Sequence, residues 1–127
     1  MDGTLHNGYP MAKTVLIVDD HASFRRAVRL VLEYEGYDVV GEAADGDSAL
    51  AAAGDLHPEL VLLDVHMPGI DGFEVASRLT AAEDAPAVVL TSSRDGTDFD
   101  QRVRRSGARG FIPKAEISGQ RLAELLR

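Results

Sequence analysis

From residue 13 onward, short aliphatic and β-branched runs alternate with longer stretches whose apolar positions recur at helical spacing. That alternation predicts a parallel sheet flanked by helices. Five such units follow one another. Residues 14–18 (Thr-Val-Leu-Ile-Val) are almost wholly apolar, as a strand covered on both faces is, and the run stops at Asp19-Asp20. Phe24, Ala27, Val28, Val31 and Leu32 predict a helix with Arg25, Arg26 and Arg29 on its other side, ended by Gly36. Residues 37–43 form a second strand, nearer an edge because it carries Asp38 and Glu42. Residues 48–53 form a short Ala-rich helix closed by Gly54. The third strand, 60–63, is again apolar throughout and stops at Asp64.

Pro68-Gly69 and Asp71-Gly72 predict a turn before a helix over about 73–80. Residues 87–90 make a fourth strand ending at Thr91-Ser92-Ser93. The next helix, about 98–106, has only Phe99 and Val103 as apolar anchors and is expected to be loosely held. Residues 110–112 are a short fifth strand ending at Pro113-Lys114. Ile117, Leu122, Leu125 and Leu126 supply the buried stripe of a last helix. The expected sheet order is 2-1-3-4-5.

At 127 residues one domain is the default. Residues 1–11 read as a flexible leader and 12–127 as the domain. With 13 basic and 21 acidic side chains the net charge is -8, which repels a phosphate backbone and disfavours nucleic-acid contact. Cysteine is absent, which excludes disulfides, thiolate zinc sites and thiol chemistry and points to an intracellular, cytoplasmic protein. No apolar run approaches the roughly 20 residues that span a bilayer. The first ten residues resemble neither a signal nor a transit peptide.

In open parallel sheets ligands bind beyond the carboxyl ends of the strands, and the polar residues of this chain collect there. Asp19 and Asp20 follow the first strand, Asp64 the third, Thr91 the fourth and Lys114 the fifth. Carboxylates crowded together raise one another's pKa unless a cation sits between them. An all-oxygen site open to water and phosphate suits Mg²⁺. A hydroxyl and an ammonium can hold the remaining oxygens of a phosphoryl group, so the set reads as phosphoryl transfer. Asp64 is the candidate nucleophile, since aspartate can attack phosphorus to form an acyl phosphate.

These residues resemble the receiver domain of two-component response regulators, from about Lys13 to Leu126. The resemblance rests on Asp19-Asp20, on 64–72 (Asp-Val-His-Met-Pro-Gly-Ile-Asp-Gly), on Thr91-Ser92 and on 107–114 (Gly-Ala-Arg-Gly-Phe-Ile-Pro-Lys). It implies a flavodoxin-like, doubly wound α/β fold with five flanking helices. It further implies that Asp64 accepts phosphate from a sensor histidine kinase or phosphotransfer protein. Mg²⁺ would be bound by Asp20, Asp64 and the backbone carbonyl of His66, with Asp19 reaching it through water. Thr91 and Lys114 would contact the phosphoryl group, and Phe111 matches the aromatic that turns inward when Thr91 moves. The implied product is a switch read by a downstream protein, as a monomer or a phosphorylation-dependent dimer.

Plainer readings stand beside these. An Asp-Asp pair after a strand also serves as a turn or helix cap, Lys114 as a solvated strand end, and Phe111 as ordinary core. His6, His21 and His57 read as surface histidines, and Asp71-Gly72 as a turn and cap without chemistry. Arg102, Arg104, Arg105 and Arg109 read as a solvated helix face, with a docking surface as the alternative. A small metal-dependent phosphohydrolase using Asp64 is the rival function, with His66 its one candidate acid/base. Ala115 follows Lys114 where many receivers have proline, so the bond after Lys114 is expected to be trans or its loop unusually mobile. With no helix-turn-helix segment present, a stand-alone receiver is expected, an excised domain being the alternative.

Overall fold

The structure, a computed structural model, describes residues 5–6, 9–10, 13–93 and 99–126. The expected flexible leader lies largely outside the described residues; within it, Leu5–His6 pairs antiparallel with Tyr9–Pro10. The main sheet is formed by β1 (Thr14–Val18), β2 (Asp38–Ala43), β3 (Leu60–Asp64), β4 (Ala87–Ser92) and β5 (Gly110–Pro113). All four pairings are parallel, and the order is β2-β1-β3-β4-β5, as the sequence predicts.

Parallel pairing requires crossovers, and α1 (Ala22–Tyr34), α2 (Gly46–Leu56), α3 (Gly72–Thr80) and α4 (Asp100–Arg105) provide them, with α5 (Gly119–Leu126) closing the chain. Alternation along each strand splits the core in two. Val15, Ile17, Leu60, Leu62, Val89 and Ile112 pack with Val28 and Leu32 of α1 and Leu122 of α5. Leu16, Val18, Val61, Leu63, Val88 and Leu90 pack with side chains of α2, α3 and α4. Both sheet faces are thus covered, which is why the strands read as continuous apolar runs.

Three local expectations are corrected. In α1 the row Phe24, Val28, Leu32 faces the sheet, whereas Ala27 and Val31 lie one ridge to the side and are exposed. The second helix is longer than residues 48–53. It begins two residues earlier, because Asp45 accepts from the Ser48 N–H at 2.8 Å in a capping box, and it runs through Gly54. Its end is set by His57, whose left-handed φ of 47° breaks the helix just before Pro58. The fourth helix is shorter than 98–106, with Asp100 its first α-helical residue. Residue 98, its expected start, lies outside the described residues, and Phe99 and Val103 are both buried as anchors. No cis peptide occurs among the described residues, so the Lys114–Ala115 bond is trans.

Candidate phosphoryl-acceptor site

Because every strand of the sheet runs the same way, all their carboxyl ends emerge on one edge. Register does the rest: Val18 lies opposite Leu63, Asp64 opposite Thr91, and Thr91 opposite Ile112. Asp19, Asp20, Asp64, Thr91 and Lys114 therefore converge, as the sequence predicts. Asp64 is 3% exposed, and Asp19 and Thr91 are fully buried. Lys114 Nζ reaches between the first two, 2.5 Å from Asp19 Oδ2 and 3.5 Å from Asp64 Oδ2. Its Nζ also lies over the Phe24 ring, 4.4 Å from the centroid, which leaves a largely buried ammonium between an aromatic face and the carboxylates.

The carboxyl of Asp64 is held above the usual aspartate range. Burial is the main cause, and Asp19 and Asp20 push the same way, against the His66 N–H and the Lys114 ammonium. That N–H donates to Asp64 Oδ1 at 3.2 Å, folding the loop after β3 back over the carboxylate. Asp19 Oδ2 is buried with an ionic neighbour but no well-aligned hydrogen bond. Buried anionic oxygens with spare lone pairs, grouped without sulfur, fit a hard divalent cation. Asp20, at the rim, completes the pair.

Two elements hold this acidic edge, and neither is evident from the sequence pattern. Helical spacing places Arg25 on the outer side of its helix, yet its Nη1 donates to the Asp19 carbonyl at 2.6 Å while its Nε donates to Glu42 at 2.9 Å. Arg29 Nε donates to the other Glu42 oxygen at 2.8 Å. Burial raises the Glu42 carboxyl, but the Arg29 and Arg25 bonds outweigh it and leave Glu42 below its ordinary value. Gly72 is the second. Its N–H donates to the Val65 carbonyl, and a Cβ there would stand 2.3 Å from the Asp64 carbonyl oxygen, so α3 can approach the loop after β3 only with glycine at this position. Asp71 caps α3, accepting from the Glu74 N–H at 3.0 Å, as its cap reading requires.

His21 differs from its reading as an ordinary surface histidine. It is exposed, but Nδ1 lies 3.2 Å from Asp19 Oδ1 and 3.1 Å from Asp20 Oδ1. On the other flank, Phe111 is half-buried against Phe99, with centroids 5.7 Å apart. Phe99 also meets Phe73 at 5.6 Å and His66 at 5.8 Å. Arg102 stacks over Phe73 and pairs with Asp71 at 3.1 Å while remaining exposed with Arg104 and Arg105 on α4; Arg109 is exposed too, but in the turn before β5 rather than on the helix face that the sequence predicts. The Thr91 hydroxyl donates to the Ile112 carbonyl at 2.7 Å, tying the end of β4 to the strand that carries Phe111. No helix among the described residues is long and apolar enough to cross a membrane.

A family model described as the response regulator receiver domain matches residues 15–127. The transcriptional regulatory protein PdtaR of Mycobacterium tuberculosis is 42% identical over 103 residues, covering 80% of this chain and 49% of its own. Response regulator GacA of Pseudomonas viridiflava is 36% identical over 114 residues, covering 89% and 51%. The chain spans about half the length of the curated relatives it matches. Among solved structures, the signal receiver domain of the response regulator NarL from Mycobacterium tuberculosis superposes with a TM-score of 0.80 at 34% identity, covering 92% of this chain and 95% of that one. The parallel sheet in the order β2-β1-β3-β4-β5 and the match along nearly its whole length agree: this chain belongs to the response regulator receiver domain family, the phosphorylated signalling modules of two-component systems.

Proposed function

We propose that Asp64 takes a phosphoryl group from a phosphohistidine, on a sensor histidine kinase or a phosphotransfer protein, and that the new charge alters the surface built by α4, β5 and α5. The observation that carries this reading is the environment of Asp64: a carboxyl 3% exposed, at a strand end, with an ammonium 3.5 Å away and two further aspartates beside it. One Asp64 oxygen attacks phosphorus, the P–N bond of the donor breaks, and its electron pair leaves with the imidazole. Asp20, Asp64 and the His66 carbonyl would hold Mg²⁺, with Asp19 behind them. When bound, the cation supplies positive charge between the carboxylates and the phosphoryl oxygens. Lys114 exchanges part of its contact with Asp19 for a phosphoryl oxygen. Attack of water on the acyl phosphate reverses the state, so the domain's chemistry is limited to its own loading and unloading.

Switching follows from the bond Thr91 must give up. Its single hydroxyl hydrogen, now donated to the Ile112 carbonyl, turns to the phosphoryl group, which loosens β5 from β4 beside Phe111. Phe111 rests on Phe99 at the start of α4, so its movement is passed to that helix. The changed face is read by another protein in the cytoplasm, by the monomer or by a dimer that forms on phosphorylation. Incubation with a small acyl-phosphate donor and Mg²⁺, followed by intact mass, tests the reading. One added phosphoryl group is expected in the wild type and none in Asp64→Asn; equal uptake by both would refute the assignment.

A further inference from the structure

We propose that His21 is a nitrogen ligand of the cation at this site and that it sets the site's preference between Mg²⁺ and the first-row transition ions. The inference rests on the acceptor reading above and adds a donor that the reading does not contain.

Among the described residues, one ligand atom each from Asp19, Asp20 and His21 lie within 4.8 Å of one another. The detailed spacing is informative. His21 Nδ1 stands 3.2 Å from Asp19 Oδ1 and 3.1 Å from Asp20 Oδ1, so it contacts two different carboxylates at once. A ring nitrogen carries at most one hydrogen, so at best it shares that hydrogen between the two in a three-centre bond. Asp19 Oδ1 already accepts from the His21 backbone N–H at 2.8 Å, and buried Asp19 Oδ2 has the Lys114 ammonium beside it but no aligned hydrogen bond. One shared proton cannot fully satisfy the two carboxylates.

A cation can. Octahedral coordination at about 2.1 Å separates neighbouring donors by about 3.0 Å, close to the 3.1 Å between His21 Nδ1 and Asp20 Oδ1. With its proton on Nε2, His21 presents the Nδ1 lone pair beside the Asp20 oxygen that would hold the cation, with Asp19 behind them. The backbone bond to Asp19 fixes where the residue begins, and its 69% exposure leaves the ring free to adjust around an ion. Mg²⁺ takes oxygen donors and binds imidazole poorly, whereas manganese and the later first-row ions accept it. His21 therefore strengthens the binding of those ions and leaves Mg²⁺ nearly unaffected.

The test uses Mn²⁺ alone on the full chain. Pulsed electron paramagnetic resonance of bound Mn²⁺ reports nitrogen ligands directly through ¹⁴N modulation of the spin echo. The modulation is expected in the wild type and in His66→Gln, which removes the other imidazole near Asp64, and its loss is expected in His21→Gln. Calorimetric titrations should show Mn²⁺ binding weakened about tenfold by His21→Gln, with Mg²⁺ binding changed by less than about twofold. Circular dichroism of both variants checks that the fold is intact. Bound Mn²⁺ without ¹⁴N modulation in the wild type, or modulation that persists in His21→Gln, would overturn the proposal. So would the absence of Mn²⁺ binding. The acceptor reading is judged separately, by phosphoryl uptake with Mg²⁺, and survives any of these outcomes if Asp64 is still modified.

Discussion

Gly72→Ala and Gly54→Ala are the same chemical change in two helices of this domain, and their effects are expected to have opposite signs. At Gly72 the added methyl would lie 2.3 Å from the Asp64 carbonyl oxygen and 2.7 Å from Val65 Cα, about 1 Å inside ordinary contact. Both neighbours are backbone, so no side chain can rotate away. Overpacking of this kind costs about 1–3 kcal/mol, partly offset by about 0.5–1 kcal/mol from the reduced freedom of the unfolded chain. A net loss of about 1–2 kcal/mol lowers the melting temperature of a domain this size by about 4–8 °C. Gly54 lies inside α2, and a methyl added there would meet nothing within 4 Å, so only the favourable terms remain, about 0.5–1 kcal/mol and a rise of about 2–4 °C. Urea denaturation with the slope held as a control measures both. The strain falls on the segment that positions the acceptor, so Gly72→Ala should also slow phosphoryl uptake at least about tenfold, whereas Gly54→Ala leaves it unchanged. A Gly72→Ala protein as stable and as readily phosphorylated as wild type would refute the steric account.

In metal-free buffer, Asp64→Asn should be more stable than wild type at neutral pH. The folded-state carboxyl is raised above its unfolded value, so its favourable contribution is present below the unfolded pKa and is lost as pH rises through the folded one. The difference should therefore shrink on acidification below about pH 4, where both states are protonated; urea melts showing the variant less stable at pH 7 would contradict this. Mg²⁺ should then stabilise the wild type more than the variant. Beryllofluoride with Mg²⁺ should change hydrogen exchange in α4 and β5 as well as beside Asp64. Changes confined to the Asp64 loop would leave an acceptor without a switch.

The three inner strands are legible in the sequence because each is buried on both faces and ends at or just before a polar residue, so Val18 to Asp19 or Leu63 to Asp64 marks a strand's carboxyl end without ambiguity. Their convergence follows from parallel order alone. Helix limits are less legible: Gly54 looks like a terminator, but the Asp45–Ser48 box and the left-handed His57 set the ends of α2. The face of α1 is blurred because its apolar residues outnumber those the sheet can cover, leaving Leu30 and Val31 outside. Arg25, Gly72 and His21 escape a sequence reading because each acts through a contact made in space, on the Asp19 carbonyl, the Asp64 backbone and the two carboxylates respectively. Asp71-Gly72 is visible as a turn, but the closeness of α3 to the acceptor is not.

The identity of the acceptor is open to a direct chemical reading. After exposure to a small phosphodonor and Mg²⁺, borohydride reduces an aspartyl phosphate to homoserine, and peptide mass spectrometry locates it. Homoserine at position 64, and its absence when Mg²⁺ is withheld, is the predicted result. Homoserine at position 19 or 20, or no reduction product in a protein that has gained phosphoryl mass, would contradict the assignment of Asp64.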